Sequence, residues 1–305
     1  MKIITYRDLK PKDGLLPLME QAFGWPFNEH EFNRFVRIDP RLKDGSVGFC
    51  ALIGSKIVSY VGVMDLATRT SDGGPEYVGG IYGVATLPGY TRQGLSRALF
   101  NAAHEYFKDK DYRFSFLNTS PTLVAYSLYR KLGYSDVVYY PSTYKISEAK
   151  KATSIKDQAA SKLDLDKVLT LYGKYVKGRT GFVARDKSYL KMLVKDKRLL
   201  RKGTVLREKG YVVFRKERYS TRIQEVIALD SEETANLIEA VEKKSRGVIC
   251  ARAVLDKTLL RIYRSRGYAV LTGGHGVLMV KPLRDDTSFR SLYGGAFFQT
   301  ELDHF

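Results

Sequence analysis

The chain has 305 residues, 44% of them hydrophobic, with a mean hydropathy of -0.27. That composition excludes a globally disordered chain, and no apolar run reaches the roughly 18 residues of a membrane span. The net charge of +18 is uneven, about +4 over residues 1–150 and about +14 over the rest.

A basic second half attracts nucleic acid or another polyanion, but its Lys and Arg residues follow helical patterns such as "KMLVKDKRLLRK". They read first as solvated helix faces. Cys50 and Cys250 stand one in each half. Their spacing suits neither a disulfide framework nor a zinc site, so no metal is expected. The start, "MKIITYRDLKPKDG", has no signal-peptide core, and a reduced, cytoplasmic protein is the expectation.

In chain order, "NEHEFNRFVR" reads as a helix with Phe32, Phe35 and Val36 on one side. "SVGFCALIGSKIVSYVGVMDL" reads as a hairpin turning at Gly54-Ser55, and "EYVGGIYGVAT" as a longer strand. "LPGYTRQGLSRAL" (87–99) follows, opening a helix with Ala98, Leu99, Ala102 and Tyr106 at helical spacing. "YRFSFLN" alternates as a strand. Ser120-Pro121 suggests a helix start, Gly133 its end, and Asp136 to Ile146 a closing strand.

A polar stretch then reads as a linker over 148–163. After it the order recurs. Helices are expected at Leu165–Val176 and Lys187–Val194, then a hairpin, a strand, a helix "SEETANLIEAVEKK", a strand "GVICARAV", a helix ending at Gly267, and a last strand "GVLMVKPL". "LYRKLGY" (128–134) and "IYRSRGY" (262–268) match at the corresponding helix ends, which favours two copies of one α+β unit.

Chemistry concentrates at 87–99. A strand, an irregular turn and a helix opening at Gly94 leave backbone N–H groups and the helix dipole facing outward, with Arg92 and Arg97 adding charge. A diphosphate suits such a nest. The stretch is neither a P-loop nor a Rossmann fingerprint, and a plain turn explains it equally well.

"VATLPGYTRQGLSRAL" resembles the acetyl-CoA signature of the GNAT superfamily of N-acetyltransferases, and "AYSLYRKLGY" resembles its second signature, a tyrosine helix leading to Gly-Tyr. The resemblance implies an α+β fold of two tandem GNAT-like domains, each a mixed, mostly antiparallel sheet flanked by helices. It implies that Val84, Ala85 and Thr86 line the pantetheine arm of acetyl-CoA, that the amides of Arg92, Gln93, Gly94, Leu95, Ser96 and Arg97 hold the diphosphate, and that Asn118 reaches the pantetheine. Thr91 and Ser96 depart from the signature, which usually has Arg or Gln and then Gly or Ala. Tyr129 matches the tyrosine that protonates the departing thiolate; taken alone it reads first as a core tyrosine, and the motif around it favours the catalytic role. The acceptor is a small-molecule or peptide amine, and the oligomeric state is not readable.

In the second copy Asp230, Glu232 and Glu233 replace glycine and arginine at the helix start and would repel diphosphate. This copy reads as degenerate, with Tyr263 structural. The expected layout is 1–147 as the cofactor-binding domain, 148–163 as linker, 164–284 as the degenerate domain and 285–305 as a tail.

The pair resembles the enhanced intracellular survival acetyltransferases without their third domain. That resemblance implies a tail reaching the first-domain site, with the Phe305 carboxylate as base; a tail that only packs on the surface is the other reading, and Asp303 and His304 are other candidate bases. No Cys or Ser stands beside a base, so direct attack of the amine is expected rather than a covalent relay. A non-catalytic CoA-sensing or nucleic-acid-associated module is the competing function.

Overall fold

The computed structural model describes residues 1–147, 163–273, 276–285 and 287–304. The expected linker, apart from Leu163, and the expected base Phe305 lie outside the described residues.

The first unit runs β1 (Lys2–Thr5), α1 (Leu16–Phe23), α2 (Glu29–Ile38), β2 (Gly48–Ile53), β3 (Lys56–Arg69) and β4 (Pro75–Thr86). It continues through α3 (Leu95–Asp109), β5 (Phe114–Thr119), α4 (Val124–Lys131), β6 (Ser135–Tyr139) and β7 (Ser142–Ser147). The second holds α5 (Leu165–Tyr175), β8 (Thr180–Gly181), α6 (Lys187–Lys195), β9 (Thr204–Leu206), β10 (Gly210–Lys216) and β11 (Ser220–Ala228). It goes on with α7 (Ser231–Lys244), β12 (Gly247–Ala251), α8 (Lys257–Ser265), β13 (Ala269–Leu271) and β14 (Val277–Pro282). The tail adds α9 (Phe289–Tyr293) and β15 (Phe297–Phe298).

Two mixed sheets result. One has the order β1-β2-β3-β4-β5-β14-β6, the other β13-β7-β12-β11-β10-β9. In each, one central pair is parallel, β4 with β5 and β11 with β12, and the neighbouring ladders are antiparallel. The sheets are therefore built alike, but with one strand exchanged. β14, from the end of the second unit, lies between β5 and β6, while β7, from the end of the first, lies between β12 and β13.

The exchange corrects the single closing strand expected over Asp136 to Ile146. The chain breaks at Tyr140-Pro141, where proline donates no ladder bond, and leaves for the other sheet. Neither continuous half holds every strand of its own sheet. Each exchanged strand also carries a lysine to the end of the other unit's helix. Lys281 Nζ donates to Leu132 O at 2.8 Å, and Lys145 Nζ to Arg266 O at 2.7 Å, neutralising C-terminal carbonyls of α4 and α8.

Local details shift as well. α3 buries Leu99, Phe100, Ala103 and Phe107, a stripe displaced from the expected Ala102 and Tyr106. Phe107 fits because Gly79 faces it, and a side chain there would collide with the ring. α4 starts at Val124 rather than at Ser120-Pro121, which instead forms a turn closed by Leu123 N–H to Ser120 O at 3.0 Å. Gly133 and Gly267 follow the two tyrosine helices at φ +89 and +81, the left-handed exit expected of both.

Candidate active site

β4 and β5 pair only from Gly79–Ser115 to Ile81–Leu117. Beyond that the strands part, leaving a fork between the end of β4 and Asn118–Thr119. Gly83 marks the divergence. It takes φ +57, and the β3–β4 register slips between Tyr60 and Gly62, as a bulge requires. Leu87 N–H donates to Val58 O at 2.9 Å, so Leu87 faces β3. Strand alternation then turns the peptide groups of Thr86 and Val84 the other way, into the fork.

The loop after β4 is short and exposed. Arg92 sits at φ +60 and Gly94, the residue before α3, at φ +80 and ψ 0. Left-handed residues bring successive N–H groups to one side, and a non-glycine residue held there costs about 1–2 kcal/mol. No side chain caps α3. Among the described residues, no protein acceptor takes the N–H groups of Arg92, Gln93, Gly94, Leu95, Ser96 or Arg97. The helix start is tied to the fork by a hydroxyl relay: Ser96 Oγ to Thr86 Oγ1 at 2.9 Å, and Thr86 Oγ1 to Ser59 Oγ at 2.7 Å. Ser96 thus has a local role that glycine or alanine could not fill. Arg92 and Arg97 are exposed and form no ion pair among the described residues.

At the other prong, the Tyr140 hydroxyl lies 2.5 Å from Asn118 Oδ1 and 2.7 Å from Gln299 Oε1. Asn118 Nδ2 and Gln299 Nε2 are buried with no hydrogen-bond partner among the described residues. One phenol hydrogen serves one acceptor, so one of the two amides turns its nitrogen towards Tyr140. A buried amide donor left at the fork is a group that a ligand carbonyl satisfies. Tyr129 is 7% exposed on α4, its ring 5.8 Å from Phe100 and 6.4 Å from Tyr134. Burial pushes its phenol up to about 12, so it keeps its proton at neutral pH.

The second unit repeats this plan with the site closed. Asp230 caps α7, its Oδ1 accepting from Glu233 N–H at 2.7 Å. β11 and β12 pair through Ser220–Ile223 and then part, but the tail lines that gap with Phe298, Gln299 and Thr300, leaving about 30 Å³. Thr300 Oγ1 donates to Glu225 Oε2 at 2.7 Å. Arg185, 2% exposed, bridges Glu225 at 2.7 Å and Asp303 at 2.7 Å. Asp303 Oδ2 also accepts Thr300 N–H at 2.9 Å. These bonds correct the candidacy of Asp303 as base: its carboxylate anchors the tail. Tyr263 is fully buried, with its hydroxyl unpartnered among the described residues.

The structure thus brings Val84, Ala85, Thr86, Asn118 and the loop 92–97 to one fork, with Tyr129 on the helix after β5. Sequence reasoning missed Gly83, Tyr140 and Gln299. For Gly83, a glycine inside a strand pattern was an available signal. Among the described residues, no group of three or more His, Cys, Asp or Glu could hold a metal, and no helix is long and apolar enough to cross a membrane.

Residues 6–137 match a family model described as an acetyltransferase (GNAT) domain. The chain is similar in structure to a GCN5-related N-acetyltransferase from Kribbella flavida, with a TM-score of 0.66 at 17% identity over 92% of this chain and 72% of that one. Eis1 from Mycobacterium abscessus gives 0.52 at 17%, over 84% and 72%. The N-myristoyltransferase of Saccharomyces cerevisiae, solved with bound myristoyl-CoA, gives 0.61 at 12%, over 98% and 89%. At these identities the likeness is one of fold. No curated protein matches the sequence.

Proposed function

We propose, from the premise that the first half of this chain is a GNAT acetyltransferase domain, that the protein moves an acetyl group from acetyl-CoA to an amine by direct attack. The observation that carries this reading is the uncapped start of α3, whose free N–H groups lie beside a forked strand pair. Acetyl-CoA, as substrate, supplies the activated thioester. The amides of residues 92–97 hold its diphosphate, and the helix dipole with Arg92 and Arg97 favours the anion. Val84 and Thr86 offer peptide groups to the pantetheine, and Asn118 a side-chain amide. An N–H near the bulge steadies the oxyanion that forms on attack.

Tyr129, protonated by virtue of its burial, gives its proton to the departing thiolate. Burial pushes the Cys50 thiol up to about 12, which disfavours a thiolate relay through it. The chain terminus is the proposed base. The His304 ring lies 5.2 Å from that of Tyr140, tilted against it, and Tyr140 contacts Asn118, so the last described residue stands next to the fork. Removing Phe305 alone, or adding one glycine after it, should cut turnover while Arg185 still holds Asp303. Unchanged turnover in both would discard that base. The whole reading is tested by CoA release from acetyl-CoA across a panel of amines, with Tyr129→Phe as control.

A second reading has its own observation. A depression of about 650 Å³ in the second unit is lined by Lys197, Arg198, Lys202, Arg215 and Lys216, with Asp196 the one acid among its lining residues. That surface supports a CoA-sensing or nucleic-acid-associated module. It requires acetyl-CoA binding without turnover, together with steeply salt-dependent RNA or DNA binding.

A further inference from the structure

The first unit has a cavity of about 260 Å³ whose lining contains no charged residue. Met19, Phe23, Trp25 and Phe27 form one wall, and Tyr82 with Gly83 forms the other. Gly83 is the bulge residue immediately before Val84, so the cavity abuts the strand end that faces the fork. The phenols of Tyr60 and Tyr82 are turned to the Val47 carbonyl, at 3.1 and 2.9 Å. They present rings to the cavity and not hydroxyls. Its rim is open: Phe23 is 50% exposed and Trp25 42%, on a turn made by Gly24 at φ +59. Large aromatic rings left in water around a hollow mark a place where an apolar group docks. The volume exceeds the roughly 150 Å³ that encloses benzene in an apolar cavity.

We infer that this cavity takes the apolar group of the acyl acceptor, so that the substrate is a primary amine carrying an aromatic or branched aliphatic group. The inference rests on the transferase reading above. An occupant arriving through an open rim comes from solvent, as an acceptor does; the donor's acyl chain would come from the fork. A ring in the cavity leaves its amine beside Gly83 and Val84, where the thioester is proposed to lie.

Trp25 is the one tryptophan of the chain, so it reports binding without any turnover. Phenethylamine and a short peptide beginning with phenylalanine, neither of which carries an indole, are titrated against Trp25 fluorescence, using the full chain. They are then compared with ethanolamine and putrescine as acceptors. Saturable fluorescence changes with the aromatic amines, and a kcat/KM roughly tenfold or more above the polar ones, are expected. The free amines and the peptide separate a small-molecule acceptor from a protein N-terminus. Phe23→Ser should raise KM for the aromatic amines severalfold while the Kd for acetyl-CoA reports that the donor site is intact.

Equal rates for polar and aromatic amines would overturn the inference. So would a preference for long acyl-CoA donors that Phe23→Ser removes, since that would place the donor's chain in the cavity. Acetyl-CoA bound and transferred to putrescine alone would sink this inference and leave the transferase reading standing. No acetyl-CoA binding at all would sink both.

Discussion

Two helices that begin at equivalent points of the two sheets begin in opposite ways. α3 starts at Gly94 with no side-chain cap, and its neighbours are Ser96 and Arg97. α7 starts at Asp230, which caps it, with Glu232 and Glu233 in its first turn. A helix start has orphan N–H groups that something must satisfy. In the second unit the chain satisfies them itself, and its own tail lies in the strand gap beside them. In the first they stay available. The difference teaches that a helix start beside parted strands is closed to a ligand when the chain supplies the same contacts from within.

That comparison can be broken or sharpened experimentally. Tyr129→Phe should lower kcat by roughly 10²-fold or more with little change in acetyl-CoA affinity, whereas Tyr263→Phe should leave kcat unchanged. Stopped assays of both variants decide it, and equal losses would erase the distinction between the units. Arg185→Met leaves two buried carboxylates without their counter-ion and should cost about 3–5 kcal/mol in chemical denaturation. It should also loosen the tail from the second unit.

Acid should act through the first unit. His104 is buried against Tyr134, 2.9 Å from its hydroxyl, and burial with nearby lysines lowers its pKa to about 3. Between its ordinary value of ~6.5 and that value, the unfolded chain binds a proton the folded one refuses. Stability therefore falls as pH drops, by about 2 kcal/mol at pH 5 from this group. His104→Gln should flatten that slope in pH-dependent denaturation. Arg97→Glu, which copies the second unit's charge, should weaken acetyl-CoA roughly tenfold by calorimetry. Smallest, Asp230→Ala should cost about 1 kcal/mol of stability, the worth of one cap, with no effect on acetyl-CoA binding.

Much of this was legible locally. The β-rich apolar runs of β3 and β4, the Gly133 and Gly267 exits and the glycine-arginine loop before α3 each carry their signal within a few residues. The strand exchange did not, because the residues of β7 and β14 mark them as strands without naming the sheet they join; pairing partners are set by tertiary geometry. The two-residue strands β8 and β15 are too short to have a period. Nothing in the sequence joins Arg185 to Glu225 and Asp303, 40 and 118 residues away. The loop's anion-binding character could be read from its glycine and arginines, whereas the tail's occupation of the second gap became visible only in three dimensions.

The central claim is that one unit binds the donor and the other has closed its site. Titration calorimetry with acetyl-CoA on the full chain tests it most directly. The account requires one site per chain, weakened by Arg97→Glu and indifferent to Asp230→Ala. Two sites per chain, or a single site that survives Arg97→Glu and is altered by Asp230→Ala, would contradict it.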